Sequence, residues 1–346
     1  MPTIKLQGQF EKQRGVFYEV DPTQPPIGIG GMGRVFKGVC VNEHTREVKP
    51  VAIKFMFEDL PEHAIERARR EASIQLRNDN LVEMLGFIET IDNLGNGHTT
   101  KHYHVVSELL HGVPLSEMLE GSVTDYEGNE VPFAIEMLQM YRAQPEQFAI
   151  RVVKSVLAGI MALHDNGYIH RDIDPSNIML TADNHIKLID FGIAMKLNAL
   201  SVTDGISLDG NRKERLVGKP KYAAPELVLS DINSQNQTTD IYSIGILLFQ
   251  LICGYLPFEG SLEEVMQMQL TKDVPLNNIS NPALRDIIKR ATEKKQDKRF
   301  QSASEFRVAL DALKTPIPYK DYLFLGAIAL VGILLGVLLR ILLSNV

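Results

Sequence analysis

The stretch His170-Arg171-Asp172-Ile173-Asp174-Pro175-Ser176-Asn177 decides how this chain is read. A helical pattern, Phe148 to His164, leads into it, and Asp190-Phe191-Gly192 lies thirteen residues beyond Asn177. Ala224-Pro225-Glu226 follows further on, while Val51-Ala52-Ile53-Lys54 and the glycines Gly28, Gly30 and Gly33 lie upstream. Any one of these short motifs arises by chance in some sequences. Their order is what carries information.

The glycines alone are ambiguous. The G-x-G-x-x-G spacing also serves dinucleotide folds, because in both settings glycine lets backbone N–H groups approach phosphate without a Cβ in the way. A dinucleotide site needs a helix directly after the glycines. Here Arg34-Val35-Phe36-Lys37-Gly38-Val39 follows, which is strand-like, so the expectation is a β-hairpin lid over a nucleotide. Lys54, ending an apolar run, reads by itself as a strand-end charge. Glu71 stands seventeen residues on, in a helical pattern opened by Pro61 and striped by Ala64, Ile65, Ala68, Ala72 and Leu76. It reads either as an exposed partner of Arg67 one turn earlier or as an ion-pair partner that orients Lys54.

Together G-x-G-x-x-G-x-V, V-A-I-K, a helix Glu, H-R-D-x-x-x-x-N, D-F-G and A-P-E, in that order, resemble the protein-kinase signature. GIGGMGRVF, HRDIDPSNIML and DIYSIGILLFQLICGYLPFEG resemble bacterial eukaryotic-like Ser/Thr kinases, and the resemblance covers about residues 16–313. It implies an α+β, bilobal fold: a small β-rich lobe with one helix over about 16–110 and a larger helical lobe over about 111–313, after an N-terminal segment 1–15. It also implies ATP and Mg²⁺ as cofactors and Ser/Thr hydroxyls of protein substrates as acceptors. By the same resemblance Asp172 accepts or orients the substrate proton, Asn177 and Asp190 hold the metal, and Lys54 with Glu71 positions phosphate. Gly28, Ile29, Gly30, Gly31, Met32, Gly33, Val35 and Ala52 match nucleotide-binding positions, and Glu108 and Leu110 fall where the hinge bonds adenine through its backbone. Asp240 matches an aspartate that braces the catalytic loop, and Glu226 with Arg299 matches a buried ion pair.

Two positions depart from the pattern. The family's Ser/Thr members carry Lys two residues after the H-R-D aspartate, where it neutralises the γ-phosphate; this chain has Asp174. The family has a small hydroxyl residue where Lys219 stands in Gly218-Lys219-Pro220-Lys221-Tyr222. Like charges roughly 4 Å apart cost about 4 kcal/mol at an effective dielectric near ~20, so an isolated Asp beside a polyphosphate is unfavourable. The expectation is a charge swap: Asp174 pairs with Lys219, whose ammonium reaches toward the γ-phosphate and Asp172, making Lys219 a candidate catalytic residue. The other reading is drift after loss of activity, which leaves a membrane-anchored pseudokinase serving as a nucleotide-binding scaffold.

Composition narrows the classes. With 36 Lys+Arg against 43 Asp+Glu among 346 residues, there is no basic excess to attract nucleic acid. Cys40 and Cys253 are far apart and lack metal-ligand spacing, so neither a disulfide framework nor a cysteine metal site is expected. No apolar run opens the chain, so no cleaved signal peptide is expected. Residues 314–321 read as a linker, 322–343 as one C-terminal transmembrane helix and 344–346 as a short tail. Within 322–343 the one charge is Arg340, and at ~1.5 Å per residue the run reaches about 33 Å, enough to cross a bilayer core. This reading places the kinase domain in the cytoplasm, with membrane lipid as a further partner. Gly332 and Gly336 form a small-xxx-small pair, which is either the seat of a homodimer or ordinary transmembrane composition. Residues 121–145 read as an inserted loop with a short helical piece.

Overall fold

The computed structural model describes residues 3–93, 99–190, 195–196 and 219–313. Phe191, Gly192, the stretch 197–218 and the expected linker, membrane span and tail at 314–346 lie outside the described residues. The chain divides into a unit Met1–Leu310 and a unit Asp311–Val346; of the second, only residues 311–313 are described.

The small lobe comprises β1 (Ile4–Leu6), α1 (Gln9–Arg14), β2 (Val16–Val20), β3 (Gly28–Gly30), β4 (Gly33–Asn42), β5 (Val48–Met56), α2 (Glu62–Ser73), β6 (Met84–Asn93) and β7 (Thr99–Glu108). Its seven-stranded antiparallel sheet has the order β1-β2-β4-β5-β7-β6, with β3 hairpinned onto β4. Strand alternation decides which face is buried. Phe36, Val51, Ile53, Ile88 and Val106 point into the core with Tyr18 and Val20. Burying each such side chain is worth ~1.5–3 kcal/mol, so sliding one strand by a residue would forfeit several of these at once. With that face fixed, Val35, Lys37, Ala52 and Lys54 share the other, Val35 opposite Lys54 and Lys37 opposite Ala52.

Three details differ from the sequence reading. Residues ahead of 16 are part of the sheet: β1 pairs with β2, and Leu6 is buried in the core. A strand of three residues is too short to leave a periodic signal. In α2, Pro61 is the N-cap and not a first-turn residue, its carbonyl accepting from Ala64 N at 2.8 Å. The helix stops at Ser73, short of Leu76, because Ile74 turns into the core out of helical geometry.

The large lobe continues with β8 (Gly112–Pro114), α3 (Leu115–Leu119), α4 (Pro132–Ala143), α5 (Pro145–Asp165), β9 (Tyr168–Ile169), β10 (Ile178–Thr181), β11 (Ile186–Leu188), β12 (Met195–Lys196), α6 (Pro225–Val228), α7 (Gln237–Cys253), α8 (Leu262–Thr271), α9 (Pro282–Ala291) and α10 (Ala303–Asp311). The expected insertion thus holds a full helix, α4, with Phe133, Ala134 and Met137 buried. Helix α7 is buried on nearly every side, the mark of a central core helix. Gly245 lets it touch α9: a Cβ there would lie 2.7 Å from Thr292 Cγ2 and 2.8 Å from Ala291 Cβ. Among the described residues α5 is long and apolar enough to cross a bilayer, but just over half of its apolar stretch is buried in this lobe, where the helix packs against α7.

Candidate active site

The site is built outward from the first turn of α7. Asn236 caps that helix, its Oδ1 accepting from Thr238 N at 2.8 Å, and Asp240 follows, fully buried. Asp240 commits both oxygens to the loop before β10. Oδ2 accepts from His170 N at 2.8 Å and lies 2.8 Å from His164 Nε2, and Oδ1 accepts from Arg171 N at 2.8 Å. Burial by itself would raise the Asp240 pKa, but bonding and charge from His164, with His170 and the Arg171 amide, outweigh it and hold it low. The loop needs this brace. Arg171 sits at φ 70°, a left-handed backbone that costs a side-chain-bearing residue ~1–3 kcal/mol.

Beyond the brace the chain makes a 3₁₀ turn, Pro175–Asn177, which Asp174 caps by accepting from Ser176 N at 2.8 Å. Asn177 Nδ2 donates to Asp172 O at 2.9 Å and to Asp174 Oδ2 at 3.3 Å. Its amide nitrogen is thereby used, so Oδ1 is the atom it has for a cation. Lys219 closes the arrangement from a distant part of the chain. Its Nζ donates to Asp174 Oδ1 at 2.7 Å and to Ser176 Oγ, and its backbone N donates to Asp172 Oδ1 at 3.2 Å. Asp174 is 3% exposed and Lys219 50%, so a buried carboxylate is matched by a half-exposed cation. Asp172 has a raised pKa, from burial first and then from the charges of Asp174 and Asp190, with His170 and the Lys219 amide opposing.

From the small lobe, Lys54 reaches to 3.9 Å from Asp190 Oδ2. Burial works against its charge, but Asp190 and then Glu71 prevail, and its pKa lies above that of an ordinary lysine. Glu71 is buried in α2 and acts on Lys54 as a nearby carboxylate; the ion-pair distance belongs to Asp190. Gly28-Ile29-Gly30 pairs with Gly33-Arg34-Val35, leaving Gly31 and Met32 as the turn. A Cβ at Gly30 or Gly31 would meet nothing within 4 Å, so this tip has room for phosphate beside its amides, whereas at Gly33 it would lie 2.1 Å from Phe55 O. An amide oxygen from Asn177 and a carboxylate from Asp190 are the hard donors Mg²⁺ takes. At the end of β7, the Glu108 carboxylate accepts from Glu83 N at 2.9 Å and Lys187 Nζ at 2.6 Å. That side chain is therefore structural, and Leu110 follows two residues on.

One contact escaped the sequence reading. Lys37, on the same sheet face as Lys54, pairs with Glu127 at 2.6 Å. The loop after α3 presents Glu127. Asp125 Oδ1 accepts from Glu127 N and Asn129 N at 2.9 Å each, and Tyr126 lies over His111 with ring centroids 5.3 Å apart. A pair 90 residues apart leaves no local signal. In the lobe's interior, Arg299 and Glu226 form a bidentate pair at 2.8 and 3.0 Å, also bonded by Thr239 Oγ1 and Thr238 O.

Residues 23–310 match the model of the protein kinase domain. Over 308 residues the chain is 27% identical to the serine/threonine-protein kinase PknL of Mycobacterium tuberculosis, covering 86% of this chain and 67% of that protein. It is 33% identical over 268 residues to the serine/threonine-protein kinase PksC of Streptomyces coelicolor (75% of this chain, 43% of that protein). With the serine/threonine-protein kinase PknA of Mycobacterium tuberculosis it shares 29% over 318 residues, covering 90% and 62%.

Proposed function

The chain belongs to the protein kinase domain family, whose members are ATP-dependent phosphotransferases, and on that premise we propose how its own residues divide the chemistry. Asp172 orients the Ser or Thr hydroxyl of a protein substrate and takes its proton as the oxygen bonds to the γ-phosphorus and the bond to the bridging oxygen breaks, leaving ADP. Lys54, kept charged by Asp190 and Glu71, holds the α- and β-phosphates. Amides of the Gly28–Gly33 hairpin lie over the phosphates, Val35 and Ala52 bound the nucleotide from the sheet, and the backbone at Glu108 and Leu110 bonds adenine. Asn177 and Asp190 would hold Mg²⁺, which when bound offsets the negative charge on the phosphates. Lys219 supplies the cation that Asp174 displaced from the catalytic loop.

The observation that carries this reading over a scaffolding one is the Lys219–Asp174 pair at 2.7 Å. It sets a positive charge beside Asp174, the position where the resemblance expects Lys and this chain has a carboxylate. The test is phosphoryl transfer from γ-labelled ATP with Mg²⁺ to a generic protein substrate, with Asp172→Asn alongside. Transfer that disappears in the variant is expected. Nucleotide binding without transfer would replace the catalytic reading with the pseudokinase scaffold.

The apolar run 322–343 supports a single-pass membrane anchor in lipid with the kinase domain on the cytosolic side, and Gly332 and Gly336 supply a seat for a homodimer. On this reading the chain resists alkaline extraction from membranes and is released by deletion of 322–346. Unchanged partitioning after the deletion would remove the anchor from the proposal.

A further inference from the structure

The Lys219–Tyr222 loop is held from behind by a side chain that sequence motifs do not mark. Tyr222 N donates to Lys219 O at 3.0 Å and Ala223 N to Pro220 O at 3.3 Å, and the carbonyls of Pro220 and Lys221 also accept from the large lobe. Gln269 of α8 meets them. Its Nε2 donates to Lys221 O at 2.9 Å and to Pro220 O at 3.3 Å, and its side chain is fully buried. Its Oε1 accepts from Tyr242 OH at 2.6 Å. The direction of that bond follows from Lys294, whose Nζ donates to Tyr242 OH at 2.7 Å. Burial lowers the Lys294 pKa to about 8, so at neutral pH it is chiefly an ammonium, which has only donors, and the single phenolic proton goes to Gln269. That in turn faces the amide nitrogen toward the loop.

Tyr242 lies two residues after Asp240 on α7. One helix turn therefore anchors both sides of the candidate site: Asp240 holds the backbone of His170 and Arg171, and Tyr242, through Gln269, holds the loop that bears Lys219. We infer that Gln269 is a positioning residue for phosphoryl transfer, fixing Pro220 and Lys221 so that the Lys219 amide stays on Asp172 and its ammonium on Asp174. The inference rests on the catalytic reading above. It adds that the reach of Lys219 is set from α8, a helix that touches neither nucleotide nor phosphate in that reading.

Replacing Gln269 by Met keeps the volume and removes every bond; replacing it by Glu keeps the acceptor for Tyr242 and removes the donor. Each is made in the full chain, and kcat, the KM for ATP, fluorescent-ADP affinity and thermal melting are measured with casein as acceptor. Displacing a catalytic group by about an ångström costs on the order of a hundredfold, so both variants are expected to lose roughly ten- to a hundredfold in kcat, with nucleotide affinity kept within about twofold. Lys219→Thr removes the ammonium contact to Asp174 but keeps the amide contact to Asp172, so Gln269→Met made on that background should cost several-fold less than it does in the parent chain, though not nothing. Gln267→Leu, on the exposed face of α8, should change nothing. Equal fold-losses in both backgrounds, or a parallel loss of ADP affinity, would overturn the positioning role in favour of general destabilisation. Full activity in Gln269→Glu would overturn it as well. If the parent chain shows no transfer that Asp172→Asn abolishes, the catalytic reading itself fails and takes the inference with it.

Discussion

Lys219 bonds two aspartates with two different groups: its ammonium is 2.7 Å from Asp174 and its backbone amide 3.2 Å from Asp172. One residue of the 219–222 loop therefore touches both carboxylates of the loop before β10. The two contacts differ in consequence. The amide contact survives any substitution except proline, whereas the ammonium contact is lost with the side chain.

That difference makes the charge swap testable. Asp174→Lys leaves two cations facing each other, and Lys219→Thr leaves a buried carboxylate uncompensated, so each single change is expected to cost ~2–4 kcal/mol in transition-state stabilisation, about thirty- to a thousandfold in kcat/KM. The double variant places the cation on the catalytic loop and should recover most of the loss. Additive losses in a double-mutant cycle would show that the two positions work independently.

The raised pKa of Asp172 fixes the sign of two pH effects. Activity that needs the carboxylate ionised is lost as pH falls through a pKa above the usual carboxylate range. Asp174→Asn removes one of the charges responsible, so its acid limb should move to lower pH; an unmoved limb would exclude Asp172 as the titrating group. For stability the sign reverses. A carboxyl whose folded pKa exceeds its unfolded value binds protons better when folded, so its ionisation weakens the fold as pH rises through that window. Asp172→Asn should therefore melt higher than the parent at neutral pH, and the gap should close in acid.

Arg299 and Glu226 are a structural pair, and their loss should be read in stability. Burial by itself would raise the Glu226 pKa, but Arg299 prevails and holds it low. Its stabilising share is therefore present above the unfolded pKa and lost as pH falls through the folded one. Arg299→Met leaves the carboxylate buried without its cation, and urea unfolding should report a loss of ~3–5 kcal/mol at neutral pH. A loss under about 1 kcal/mol would mean that water or another group takes the place of Arg299.

The Lys37–Glu127 pair joins β4 to the loop after α3. Both side chains are partly exposed, and such pairs are worth at most about 1 kcal/mol, so the expected effect is a rate change of a few-fold. Lys37→Glu should speed release of fluorescent ADP by about two- to fivefold in stopped flow at low salt, and adding Glu127→Lys should reverse it. Identical release rates in all three proteins would show that the pair does not gate exchange.

What the sequence disclosed depended on where each signal resides. Asp172, Asn177 and Asp190 were legible because their spacing within one short stretch matches a known pattern, and Lys54 was legible as the charge closing the run Val51-Ala52-Ile53-Lys54, although the strand continues to Met56. Lys219 could be matched with Asp174 because each broke that pattern with the opposite charge. Their roles in catalysis stay with the kinetic tests above. Lys54 and Glu71 show the limit of pattern: both lie at the cleft, yet the 3.9 Å partner of Lys54 is Asp190. Gln269 was not legible, because its ligands are backbone carbonyls, which any residue supplies. Ten-residue β6 was also missed, although Met84, Gly86 and Ile88 alternate inward, since Gly86 interrupts the apolar pattern.

Asp240 and Tyr242 give α7 a surveyor's role: two loops are measured from one benchmark. A tilt of the whole helix carries both loops with it and leaves their alignment intact. Wedging α8 away from α7 separates the two readings. A small molecule lodged between those helices would thus lower turnover without competing for the nucleotide cleft, and added ATP would not relieve it.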